Sequence, residues 1–223
     1  SISTDPAHKA DVESAADWLG KDLSDMGFSA RKDPTTGHPM VVATGGADNG
    51  PHLLFYGHYD VQPVDPLHLW DRDPFDPQVQ DTPRGKVIRA RGASDDKGQL
   101  MTFLEACRAW LAVHGSLPVK LTFFLEGEEE SGSPSLVPYM KAHADALKAD
   151  IALICDTGMY DAQTPAITTM LRGLLGEEVT IHAADRDLHS GMFGGAAMNP
   201  ARVLARFLAD LHVDQGRVTV PGF

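Results

Sequence analysis

Leu53-Leu54-Phe55-Tyr56-Gly57-His58-Tyr59-Asp60-Val61-Gln62-Pro63 joins an apolar run to a glycine, then to a histidine and an aspartate two residues apart. The apolar run suits a buried strand, and Gly57 ends it. In the turn that follows, an imidazole can bind a metal through one nitrogen while a carboxylate holds its other N–H. Alone, His-x-Asp is an ordinary loop pattern. Three more acidic clusters downstream each follow a strand-like run of their own, and these give His58 and Asp60 their weight.

The 223 residues suit one large domain, or one domain and part of another, and 43% hydrophobic residues can fill a core. The net charge of -12, from 31 acidic against 19 basic residues, argues against a nucleic-acid binder, which needs a basic face. It is compatible with an enzyme that collects divalent cations. Cys107 and Cys155 are the only cysteines. Both sit in apolar patterns and read as small buried residues, which fits a reducing compartment. No apolar run approaches membrane-spanning length, and no secretory signal opens the sequence. The expected location is the cytoplasm.

Along the chain, Asp5-Pro6 reads as a helix cap, and Val12, Ala16, Leu19 and Leu23 recur at helical spacing until Gly27. Strands are expected at 28–32, 40–44, 53–56, 86–90, 119–125 and 151–155. Residues 63–85 form an irregular excursion rich in Pro, Asp and aromatics. Helices are expected from Gln99 to Gly115 and from Ser133 to Leu147. This alternation gives an α/β class, a mostly parallel sheet flanked by helices. After Asp156 the pattern changes. Residues 166–171 and 177–183 read as half-exposed strands, His189 to Gly195 as a glycine-rich loop, and Asn199-Pro200 as a helix start. A boundary near 168–173 divides residues 1–170 from the start of an α+β domain at 171–223.

In open α/β sheets, sites form beyond the carboxyl ends of the strands. His58/Asp60, Asp95/Asp96, Glu128/Glu129/Glu130 and Asp156 all fall at such ends. Carboxylates crowded on one rim repel one another and are raised in pKa. A pair of divalent cations removes the conflict, and the histidine favours a zinc-like ion. Each cluster has a plainer reading as well. Asp95-Asp96 can equally cap the helix that follows, and a glutamate run is commonly a solvated surface.

Taken as a set, Gly57-His58-Tyr59-Asp60-Val61-Gln62-Pro63, Gly92-Ala93-Ser94-Asp95-Asp96-Lys97-Gly98, Glu126-Gly127-Glu128-Glu129-Glu130-Ser131-Gly132-Ser133 and Asp187-Leu188-His189-Ser190-Gly191 resemble the successive motifs of the M20 metallopeptidases. The carnosine-type cytosolic dipeptidase branch is the nearest likeness. The resemblance runs from the first helix to the last residue. It implies a zinc-exopeptidase-like catalytic domain followed by a lid and dimerisation domain. It implies two Zn2+, with Mn2+ or Co2+ as substitutes. His58 and Asp156 would ligate one metal, Asp95 would bridge both, and Glu130 would ligate the second. Asp60 would orient His58, Glu129 would act as general base and acid, and His189 would reach a partner subunit's site from the lid. The Asp95–Asp96 peptide would be cis.

The resemblance also implies a second metal-binding histidine from a segment after the lid. The expectation is therefore a chain that stops inside the lid, with an incomplete metal site, little activity by itself and a homodimer only in the full-length protein. The implied substrate is a dipeptide or short peptide. The alternatives are an N-acyl-amino-acid deacylase of the acetylornithine deacetylase or succinyl-diaminopimelate desuccinylase type, acting on a small N-acyl amino acid, and a non-catalytic binding or assembly protein on the same fold. Neither nucleic acid nor membrane is an expected partner.

Overall fold

The computed structural model describes the backbone of residues 1–223 and every side chain except that of Asp214. It divides into two compact units, Ser1–Ile167 and Thr168–Phe223.

The first unit is built on a five-stranded sheet. Its strands are β1 (Ser29–Asp33), β2 (Met40–Gly46), β3 (His52–His58), β6 (Lys120–Glu126) and β7 (Ile151–Ile154), in spatial order β1-β2-β6-β3-β7. The sheet is mixed: β1/β2 and β2/β6 are antiparallel, whereas β6/β3 and β3/β7 are parallel. A separate hairpin, β4 (Gln78–Thr82) with β5 (Gly85–Arg89), gives regular structure to part of the 63–85 excursion, so one strand there had no clear sequence signal. Its alternation is weak because both of its faces are largely exposed.

Alternation along the strands divides the core into two layers. On one face, Val41, Ala43, Phe55, Leu121, Phe123 and Leu125 pack under two helices. These are α1 (Lys9–Asp25), which buries Val12, Ala16, Leu19 and Leu23, and α2 (Lys97–His114), which buries Leu100, Leu104 and Cys107. Phe55 stacks on Phe103 at 4.2 Å and meets Phe123 edge-on at 5.6 Å. On the other face, Met40, Val42 and Phe124 pack with Tyr139. Tyr139 lies on α3 (Leu136–Ala142), which His143 separates from α4 (Ala144–Leu147). The expected helix from Ser133 to Leu147 is therefore two shorter ones. Cys107 and Cys155 are both free. No helix of the described residues is long and apolar enough to cross a membrane.

In the second unit, α5 (Ser190–Phe193) is short, and α6 (Pro200–Asp210) starts as its sequence suggests. The Asn199 side chain accepts from Ala201 N and Arg202 N at 3.0 and 3.3 Å, satisfying N–H groups with no partner inside the helix. The strands expected at 166–171 and 177–183 are not formed. An alternating segment becomes a strand only beside a partner that completes its ladder, and these residues have none among those described. Ile167 and Leu174 are 89% and 99% exposed.

Candidate metal centre

His58 stands beside Glu126 in the parallel pairing of β3 and β6, and β7 flanks β3 on its other side. Their carboxyl ends share one rim. Beyond His58 the side chains keep alternating, so Tyr59 enters the core while Asp60 returns to the histidine's face. The Tyr59 ring is fully buried, and its hydroxyl donates to the Pro39 carbonyl.

The imidazole is also fully buried. Its Nδ1 lies 3.2 Å from Asp60 Oδ1 and its Nε2 3.1 Å from Asp95 Oδ1. Asp156 Oδ2 and Glu129 Oε2 stand 3.7 and 3.8 Å from the same Nε2. Burial by itself would lower the His58 pKa, but the Asp60 bond and the charges of Asp60, Asp96 and Glu129 outweigh it and raise the value to about 9. The acidic surroundings therefore favour positive charge on this ring.

His58, Asp95 and Asp156 each offer one donor atom, and the three atoms lie within 4.8 Å of one another. One imidazole and two carboxylates form a donor set that suits zinc. Donors about 2.0–2.2 Å from a single ion stand roughly 3–4 Å apart, so small side-chain rotations would close the set. The residues present fit a divalent cation.

Asp60 serves both sides of the rim. It faces His58, and its oxygens accept from the Glu129 and Glu130 N–H groups at 3.2 and 3.0 Å. Burial works to raise its carboxyl, but the His58 and Ser3 side chains and the Glu130 N–H, with the His58 charge, hold it below the ordinary range. The Asp95–Asp96 peptide is cis. Asp96 makes no side-chain cap for α2. It is buried, and its Oδ2 accepts the His58 N–H at 3.1 Å.

The glutamate run separates into different jobs. Glu126 is buried and accepts from the Tyr56 and Ser133 hydroxyls. Glu128 is also buried. One of its oxygens accepts the His38 N–H at 2.6 Å and the other the Ser135 N–H at 2.9 Å, tying the β1–β2 turn to the start of α3. Glu129 turns to the rim. Glu130 is not in the three-donor group, and Gln62 Nε2 donates to its carboxylate at 2.8 Å. His189 belongs to the second unit, where its exposed ring accepts the Gly191 N–H at 3.1 Å.

Sequence reasoning did not find the supporting roles of Glu126, Glu128 and Gln62. Gly37 carries a trace of one of them. A Cβ there would lie 1.5 Å from Glu128 Oε1, so only glycine fits beside the bonded carboxylate. Gly37→Ala is expected to displace Glu128 and leave a buried N–H unpaired, at a cost of about 1–3 kcal/mol. Urea denaturation measures it, and in a double mutant with Glu128→Ala the two effects should add to less than their sum. Unchanged stability of Gly37→Ala would remove the clamp.

The chain aligns over its whole length, at 32% identity, with 49% of the Cys-Gly metallodipeptidase dug1 of Schizosaccharomyces pombe. At 35% identity, 82% of it aligns with 36% of the human Beta-Ala-His dipeptidase. Among solved structures, an M20 family metallo-carboxypeptidase of Sulfolobus solfataricus superposes with a TM-score of 0.72 at 31% identity, over 95% of this chain and 47% of that one. The di-peptidase Dug1p of Saccharomyces cerevisiae gives the same score at 26% identity, over 99% and 49%. The chain thus spans about half the length of the dug1 relative and of both structures, and less of the human one. The model of peptidase family M20/M25/M40 matches residues 54–220, well over half of the sequence, and the chain belongs to that family.

Proposed function

We propose that the protein hydrolyses the amide bond of dipeptides or short peptides at a centre of two zinc ions, for which Mn2+ or Co2+ can substitute. The meeting of His58, Asp95 and Asp156 at one point carries this reading, and the names of the dipeptidase relatives support the substrate class. His58, Asp95 and Asp156 would hold one ion, with Asp95 shared and Glu130 on the second. When bound, such ions lower the pKa of water and polarise a carbonyl oxygen.

The chain's own residues supply the rest. Glu129 takes the proton of the attacking water and returns it to the leaving amine. Burial raises its pKa, as do Glu130, Asp156 and Asp60 against the opposing pull of His58, which brings a carboxylate closer to a useful base strength. Asp60 keeps the His58 ring in one tautomer and one orientation. His189, from the lid of a partner copy, donates to the oxyanion as it develops. On this reading residues 1–170 belong to the catalytic domain and 171–223 to a lid through which the protein dimerises. The two free cysteines support a reducing, cytoplasmic location.

A panel of dipeptides and N-acyl amino acids, assayed on the full-length protein with and without chelator, tests the proposal. The expected result is chelator-sensitive turnover of dipeptides, restored by zinc. Turnover confined to N-acyl amino acids would make the protein a deacylase. No zinc binding and no turnover would leave a non-catalytic protein on this fold.

A further inference from the structure

Lys97 opens α2 immediately after the Asp95–Asp96 pair, and its placement runs against two ordinary preferences. A cation is disfavoured at the positive end of a helix, and the ammonium is withdrawn from water without an ion-pair partner among the described residues. Something else at this position therefore requires the lysine.

Its contacts show what that is. Lys97 Nζ donates to the Tyr59 carbonyl at 2.7 Å and to the Ser1 hydroxyl at 2.7 Å. The Ser1 hydroxyl donates to the same carbonyl at 2.9 Å. Tyr59 lies between His58 and Asp60, and its carbonyl belongs to the peptide that leads into Asp60. Around the lysine stem, Trp18, Leu19, Leu100 and Met101 line an apolar cavity of about 370 Å³, so the side chain reaches the turn from behind, through the α1–α2 layer.

We infer that Lys97 is a positioning residue for the metal centre: by holding the Tyr59 carbonyl it fixes the turn that presents His58 and Asp60. It ties the helix following Asp95 to the strand end carrying His58, so the spacing of two proposed ligands is set from behind the rim. This rests on the metal-binding reading above.

The test is zinc affinity of the purified full-length protein, by competition with a chromogenic chelator, alongside the melting temperature of each metal-free protein. Lys97→Met keeps the apolar stem and removes the donors. It is expected to bind zinc about 10–100-fold more weakly, the range for groups that orient metal ligands, with a metal-free melting temperature close to that of the unsubstituted protein. Lys97→Arg restores a donor and should recover most of the affinity. Unchanged affinity in Lys97→Met overturns the inference. So does a metal-free Lys97→Met that no longer folds, because the lysine is then part of the general architecture. Failure of the unsubstituted protein to bind zinc defeats the metal-binding reading instead.

Discussion

Glu129→Gln is expected to retain its metal and to lose roughly 10²–10⁴-fold in kcat, the contribution of a positioned proton-transfer group. Three features point to this residue, and the second sets it apart from Glu130. Its backbone N–H is pinned by Asp60, its carboxylate reaches within 3.8 Å of His58 Nε2, and it is not one of the three converging donors. The amide has nearly the shape of the carboxylate but cannot take a proton at neutral pH. Steady-state kinetics with metal analysis on the same preparation separates the two properties. Turnover near the unsubstituted level, with metal in place, would take the general-base role away from Glu129.

Asp95→Ala is expected to lower zinc affinity more than 100-fold, past the roughly 10–100-fold typical of groups that only orient a ligand. The substitution is clean because the Asp95 side chain is 64% exposed, so truncation opens no cavity and breaks no core contact. What it removes is a carboxylate 3.1 Å from His58 Nε2 and one of only three donors in the group. Two donors are too few to hold the ion well. Elemental analysis after dialysis reads the outcome directly, and stoichiometric zinc in Asp95→Ala would contradict the assignment.

Much of this centre is legible in the sequence because parallel strands carry position in their order. Once the runs ending at His58, Glu126 and Ile154 are strands of one sheet, the polar residues following them must share a rim. The glutamate run is less legible. Glu126, Glu128, Glu129 and Glu130 are chemically alike, and only the three-dimensional surroundings distinguish a buried clamp from a rim carboxylate. Glu128 is identified by two backbone amides, Ser135 just ahead of α3 and His38 from the distant β1–β2 turn, and local spacing cannot reveal the second. Asp96 shows the same difficulty. Position makes it a natural helix cap, yet its carboxylate is used by His58 N–H instead. Residues 166–183 mark the opposite limit, since alternation describes what a segment could pair as, while pairing depends on a neighbour.

Asp60 joins two properties that are usually adjusted separately. The carboxylate that faces the imidazole also fixes the peptide groups leading to Glu129 and Glu130. A substitution at position 60 therefore moves the proposed metal donor and the proposed proton carrier in one step. Selection for tighter ion capture at that position would drag catalytic rate along with it, so an engineer seeking to tune one without the other should work at Asp95 or Glu129 and leave Asp60 alone.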